Sequence, residues 1–207
     1  MSLITPLFSD ALSQHYLCEL IADSQMWQGM CKLPDATAAE IVALIADSPE
    51  LLDRDAARLK IAQGILIPSG ETVLEDGEAD CSYIGDFYDT VFPLPRILVR
   101  YLTDGTATRT TTTTFERRDS FRILIEYMVP QQYRRMDAES ITNQEIDGLD
   151  KMCKLRQEMQ EVVRDGTGLR LQVDEFTRGP SGLVLPEDST GLWMRSCEMQ
   201  ATFTGYC

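Results

Sequence analysis

The sequence predicts an α+β fold, a mostly antiparallel sheet with two long helices packed on one face and an inserted helical and acidic region. Three observations lead there. Two segments, 3–30 and about 141–163, repeat apolar residues at helical spacing. Residues 119–129 and 192–204 alternate apolar and polar over long stretches. The order is helix, a run of strands, helix, then two more strands, which is how helices come to lie on one face of an antiparallel sheet.

The first helix is expected over 3–30, with Leu7, Ala11, Leu12, Leu17, Leu20, Ile21 and Met26 on its apolar face. Pro6 falls in its first turn, and Gly29 and Pro34 bracket its end. A second helix is expected over 37–47, where Thr37 and Glu40 have capping-box spacing. A third is expected over 49–63, ending at Gly64. Residues 65–95 are punctuated by Pro68, Gly70, Gly77, Gly85, Pro93 and Pro95, and leave room for one short strand at 65–67. The core domain is therefore read as 1–34 plus 96–207, with 35–95 as an insertion.

From residue 96 the pattern changes to strands. Ile97, Val99 and Tyr101 share one face of the first, and Asp104-Gly105 is a turn signal. Residues 106–117 contain five consecutive threonines, whose β-branching favours extended chain and whose hydroxyls let both faces be wet. Such a strand suits a sheet edge or a subunit contact. In 119–129 Phe121, Ile123, Ile125, Tyr127 and Val129 take one face, with Arg122, Glu126 and Met128 opposite. The second long helix can be capped by Ser140 or Thr142. Its stripe is Ile141, Ile146, Leu149, Met152, Leu155, Met159, Val162 and Val163. Leu169, Leu171 and Val173 begin another strand, and Trp193, Cys197, Met199, Ala201 and Phe203 share one face of the last.

Composition bounds the function. The 207 residues carry 19 Lys+Arg against 33 Asp+Glu, a net charge of −14, which disfavours nucleic-acid binding through a basic patch. No apolar run approaches the length of a bilayer span, and the first residues lack the pattern of a secretory signal, so no membrane partner is expected. The charge is uneven: residues 1–95 hold 16 acids and 4 bases, and no Lys or Arg falls between Lys60 and Arg96. Asp76, Glu78 and Asp80 start with the spacing of a calcium loop, but Cys81 and Phe87 stand where that loop needs Gly and Glu. The six cysteines form no C-x-x-C pair and His15 is the only histidine, so neither a metal nor a cofactor is expected. His15 and Cys18, three apart on a helix, could meet on one face, but nothing supplies the third group of a nucleophilic site. The adjacent acids Asp174-Glu175 and Glu75-Asp76 lack the convergence acid–base work requires. No enzymatic activity is expected.

The stretches "PRILVRYL" and "TTTTTFERRDSFRILIEYMVP", the helix "NQEIDGLDKMCKLRQEMQEVV" and the ending "GLWMRSCEMQATFTGY" together resemble the tail terminator-like proteins of tailed bacteriophages. The resemblance is one of element order over 3–30 and 96–206, and 35–95 departs from it. It implies a structural virion protein, assembled in the host cytoplasm. This would be a homohexameric ring at the head-proximal end of the tail tube, joined to the neck and connector proteins. Genomic DNA would pass through the lumen without specific binding. A head-completion or head–tail joining protein is the near alternative, and an acidic DNA-mimic binding protein the alternative of another class. On the ring reading Glu71, Glu75, Asp76, Glu78 and Asp80 are candidate lumen acids. Acids facing a channel repel phosphates and permit sliding, within a screening distance of about 8–10 Å. Thr110, Thr112, Thr114, Phe203 and Tyr206, in the threonine and C-terminal strands, are candidate subunit contacts.

Overall fold

The computed structural model describes residues 10–66, 72–74, 94–103, 108–109, 115–164, 170–176 and 193–206. Five helices are described: α1 (Asp10–Asp23), α2 (Gln25–Lys32), α3 (Ala38–Asp47), α4 (Arg54–Arg58) and α5 (Ala138–Arg164). Seven strands join them: β1 (Ile61–Leu66), β2 (Thr72–Leu74), β3 (Arg96–Thr103), β4 (Thr108–Arg109), β5 (Phe115–Met128), β6 (Arg170–Phe176) and β7 (Met194–Tyr206). They form one sheet in the order β2-β1-β3-β5-β7-β6, with β4 paired to β5. The fold is α+β and the sheet mostly antiparallel. Only β1 and β3, among the described strands, run parallel.

The alternation in β5 fixes the faces. Ile125 stands opposite Ile97 and Cys197, Ile123 opposite Val99 and Met199, and Phe121 opposite Ala201. A one-residue slip would turn this whole apolar set outward, so burial holds the register. Leu17, Cys18 and Ile21 of α1 and Met152, Leu155 and Met159 of α5 cover that face and join the strands in a single core. The ring of Phe121 meets Phe203 edge-on at 6.1 Å between centroids. The opposite face carries cross-strand ion pairs, Arg96 with Glu126 and Arg122 with Glu198.

Several elements differ from expectation. The first helix does not run unbroken to residue 30. Ser24 adopts an extended backbone between α1 and α2 and caps α2 by accepting from Trp27 N–H at 3.1 Å. Glu158 of α5 accepts from Ser24 Oγ at 2.7 Å and Met26 N–H at 3.0 Å, placing a carboxylate at the new helix N-terminus. The expected helix over 49–63 is a single tight turn at Pro49–Leu51, then α4, capped by Asp53, then β1. The chain is drawn into the sheet as Ile97 N–H donates to Lys60 O at 2.9 Å and Ile61 pairs with Ile97. Residues 35–95, expected as an insertion, thus contribute β1 and β2 to this sheet and Ile41, Ala57 and Ile61 to this core. Asp137, rather than Ser140 or Thr142, caps α5 by accepting from Ser140 N–H at 2.8 Å.

Candidate functional site

The expected apolar stripe of α5 holds only in part. Met152, Leu155 and Met159 are buried, but Ile146 and Leu149 are 53% and 43% exposed. The first half of the helix turns a polar row inward instead: Ser140, Gln144, Asp147 and Lys151 are all buried. Their spacing of three and four residues places them along one face of a helix. Gly148 lies beside the row because Tyr127 of β5 needs the space. A Cβ there would come within 2.2 Å of Tyr127 Oη.

Asp147 and Lys151 form a buried ion pair, with Nζ 2.7 Å from Oδ2 and side chains only 6% and 1% exposed. A pair withdrawn from water persists only if its remaining hydrogen-bonding capacity is also met. Ala38 N–H, at the start of α3, donates to Asp147 Oδ1 at 2.6 Å. Lys151 Nζ donates to Ala36 O at 2.9 Å and stands 5.2 Å from the Tyr127 ring centroid. Burial pulls the Lys151 ammonium below its ordinary pKa, and Asp147 and Glu40 oppose that pull. Burial likewise pushes the Tyr127 phenol up, with the nearby Cys197 and Asp147 adding to the rise and Arg195 opposing it. Glu40 closes the α3 capping box on Thr37, and the hydrogen bonds it accepts hold its carboxyl below the usual range.

Arg195, opposite Tyr127 in β7, is 8% exposed and reaches toward Glu145 of α5 at 3.8 Å. Gln144 Nε2 donates to Tyr133 O at 2.6 Å and ties the approach to α5 onto the row. The result is a charge-bearing seam between α5, β5, β7 and the start of α3. Chemically it fastens elements together through these contacts, while Gln144 Oε1, Arg195 Nε and, beyond its ion pair, Asp147 Oδ2 are buried without a hydrogen-bond partner among the described residues.

A second polar cluster joins α1 to α4. Arg58 donates to Glu19 at 2.7 Å, and Arg54 bridges Glu19 and Asp23. Burial raises the Glu19 pKa but the hydrogen bonds from Arg58 and Arg54 outweigh it, so the carboxyl titrates below its ordinary value. His15 lies on the exposed side, 3.9 Å from Glu19 and 3.3 Å from Gln63, whereas Cys18 is fully buried. Their three-residue spacing therefore does not bring them together. Cys18, Cys31, Cys153 and Cys197 form no disulfide among the described residues, and burial pushes Cys31 up to about 12.

The candidate lumen acids Glu71, Glu75, Asp76, Glu78 and Asp80 lie outside the described residues, as do Thr110, Thr112 and Thr114. The threonine run falls between Arg109 and Phe115, which pair with each other. Phe203 is corrected as a contact residue: it is buried in its own chain, between Phe121 and Tyr16. The C-terminal strand is likewise not an edge. β7 pairs with β5 from Met194 to Tyr206 and with β6 on its other side, and Tyr206 closes it opposite Glu116. Among the described residues no three His, Cys, Asp or Glu side chains gather as a metal site, and no helix is long and apolar enough to cross a membrane.

Sequence reasoning missed the buried row of α5. Its signal was present: Ser140, Gln144, Asp147 and Lys151 repeat at helical spacing as regularly as the apolar residues beside them. No protein-family model matches the chain, and no curated protein matches it.

Proposed function

We propose that this protein is a structural virion protein, a tail terminator-like subunit that assembles into a ring at the head-proximal end of a phage tail tube. The layer arrangement carries this reading. A mostly antiparallel sheet carries α1 and α5 on one face, which is compatible with the reading. The apolar face is satisfied within one copy, and the described sheet ends on β2 and β6. Those are the strands able to extend the sheet or meet a neighbour. A head-completion protein would share this arrangement and differ in where it binds. Of the described acids of the first half, Glu19 and Asp23 are engaged by Arg54 and Arg58, and Asp35 by Arg134, which takes these three from a DNA-mimic surface.

Native mass spectrometry of the purified chain over a range of concentrations, with negative-stain imaging alone and with tail tubes, tests the proposal. Rings in solution, or rings seated on tube ends, are expected. A chain that stays monomeric both alone and with tubes refutes it.

A further inference from the structure

Helix α3 buries few of its own residues. Of its ten residues only Ala38 and Ile41 are buried, and Val42 is exposed. Ile41 seats against Gly29 of α2, where an added Cβ would come within 2.5 Å of Ile41 Cγ2. Ile45 and Ala36, partly buried, pack against the core, Ile45 beside the same Gly29, and the polar ties converge on α5 and the turn before it. Asp147 takes the Ala38 N–H, Lys151 donates to Ala36 O, and Arg134 pairs with Asp35. In contrast α5 is anchored independently of α3, by Met152, Leu155 and Met159 in the core and by Glu158 on the α1–α2 junction.

The geometry points to α3 and the turn over 33–37 as a clasp that opens as one unit while α1, α5 and the sheet stay folded, with the Asp147–Lys151 pair as its fastening. Two physical features support this. Elements with few buried apolar contacts open at a lower free energy than the core. In addition, the fastening is not stranded when the clasp lifts. Asp147 and Lys151 are four residues apart on α5, so once solvated they become an ordinary surface pair of one helix. Opening uncovers the Gly29 face of α2 and the Asp147–Lys151 pair of α5. The inference stands on these contacts and is independent of the virion reading.

Hydrogen exchange of the full chain, followed by mass spectrometry across a series of sub-denaturing guanidinium concentrations, tests it. Peptides covering 38–47 are expected to exchange at least about tenfold faster than those covering 121–127 in the unaltered protein. Lys151→Met should widen that gap. Gly29→Ala, which pries at Ile41 and leaves the ion pair intact, should raise exchange over 38–47 selectively and serves if Lys151→Met does not fold. Equal protection of the two regions throughout the series, or equal acceleration by Gly29→Ala, overturns the clasp.

Discussion

Removing the Lys151 charge alone should cost far more than removing both charges of the pair. In Lys151→Met the Asp147 carboxylate stays 6% exposed with Ala38 N–H as its remaining hydrogen-bond donor, and Ala36 O loses its donor. Stranding one partner of a buried pair costs about 3–5 kcal/mol, a large share of the roughly 5–15 kcal/mol typical of a domain. Adding Asp147→Asn removes the stranded charge, while Asn Oδ1 can still accept from Ala38 N–H. The double variant should therefore recover at least about 2 kcal/mol of the loss. Proton linkage offsets part of that loss, because burial makes the lysine charge itself a burden in the folded state. Burial lowers the Lys151 pKa in the folded state, so the unfolded chain holds the proton more tightly. The burden of the charge is full below that lowered value and disappears as pH rises toward the ordinary value of 10.5. Reversible guanidinium unfolding of both single variants and the double completes the cycle. A Lys151→Met loss below about 1 kcal/mol, or a double variant no more stable than Lys151→Met, would refute the reasoning.

Other outcomes follow from the same geometry. Ile125→Asp puts an unpaired charge at a fully buried position and should abolish cooperative melting, read by calorimetry or circular dichroism. Gly148→Ala should cost about 1–3 kcal/mol through its clash with Tyr127 Oη, and Tyr127→Phe in the same chain should relieve most of it; denaturant midpoints decide. The lowered Glu19 pKa contributes stability above its ordinary value of 4.5 that is lost as pH falls through the folded value, so Glu19→Gln should flatten the acid limb of a pH–stability curve. Charge reversal at Glu75, Asp76 and Glu78 should leave particle assembly intact and impair genome ejection, scored as infectivity per particle. Normal infectivity would remove those acids from the lumen.

Strict alternation made β5 legible. With one face against α1 and α5, each odd-numbered apolar residue from Phe121 to Tyr127 has a single place to go. The same logic placed Met199, Ala201 and Phe203, but assigning Phe203 to a subunit contact failed. Alternation says which face a side chain takes and not whether its own chain covers that face. The α3 capping box was legible too, because both of its hydrogen bonds lie within four residues of sequence. The break at Ser24 was not. Its second acceptor, Glu158, is 134 residues away, and no local propensity encodes a carboxylate supplied from another helix.

The sequence by itself determined the α+β class, the long strands and their inward faces, and the two long helical regions. Each follows from a periodicity of two or of about 3.6 residues that burial enforces locally. Tertiary structure alone decided that 61–66 is a strand, that β7 lies inside the sheet, and that α5 turns Asp147 and Lys151 inward while leaving Ile146 and Leu149 outside. Polar and apolar rows run side by side along that helix. Which row is buried depends on the partners waiting for it: the Ala36 carbonyl, the Ala38 amide and the Tyr127 ring, all contributed from elsewhere in the chain.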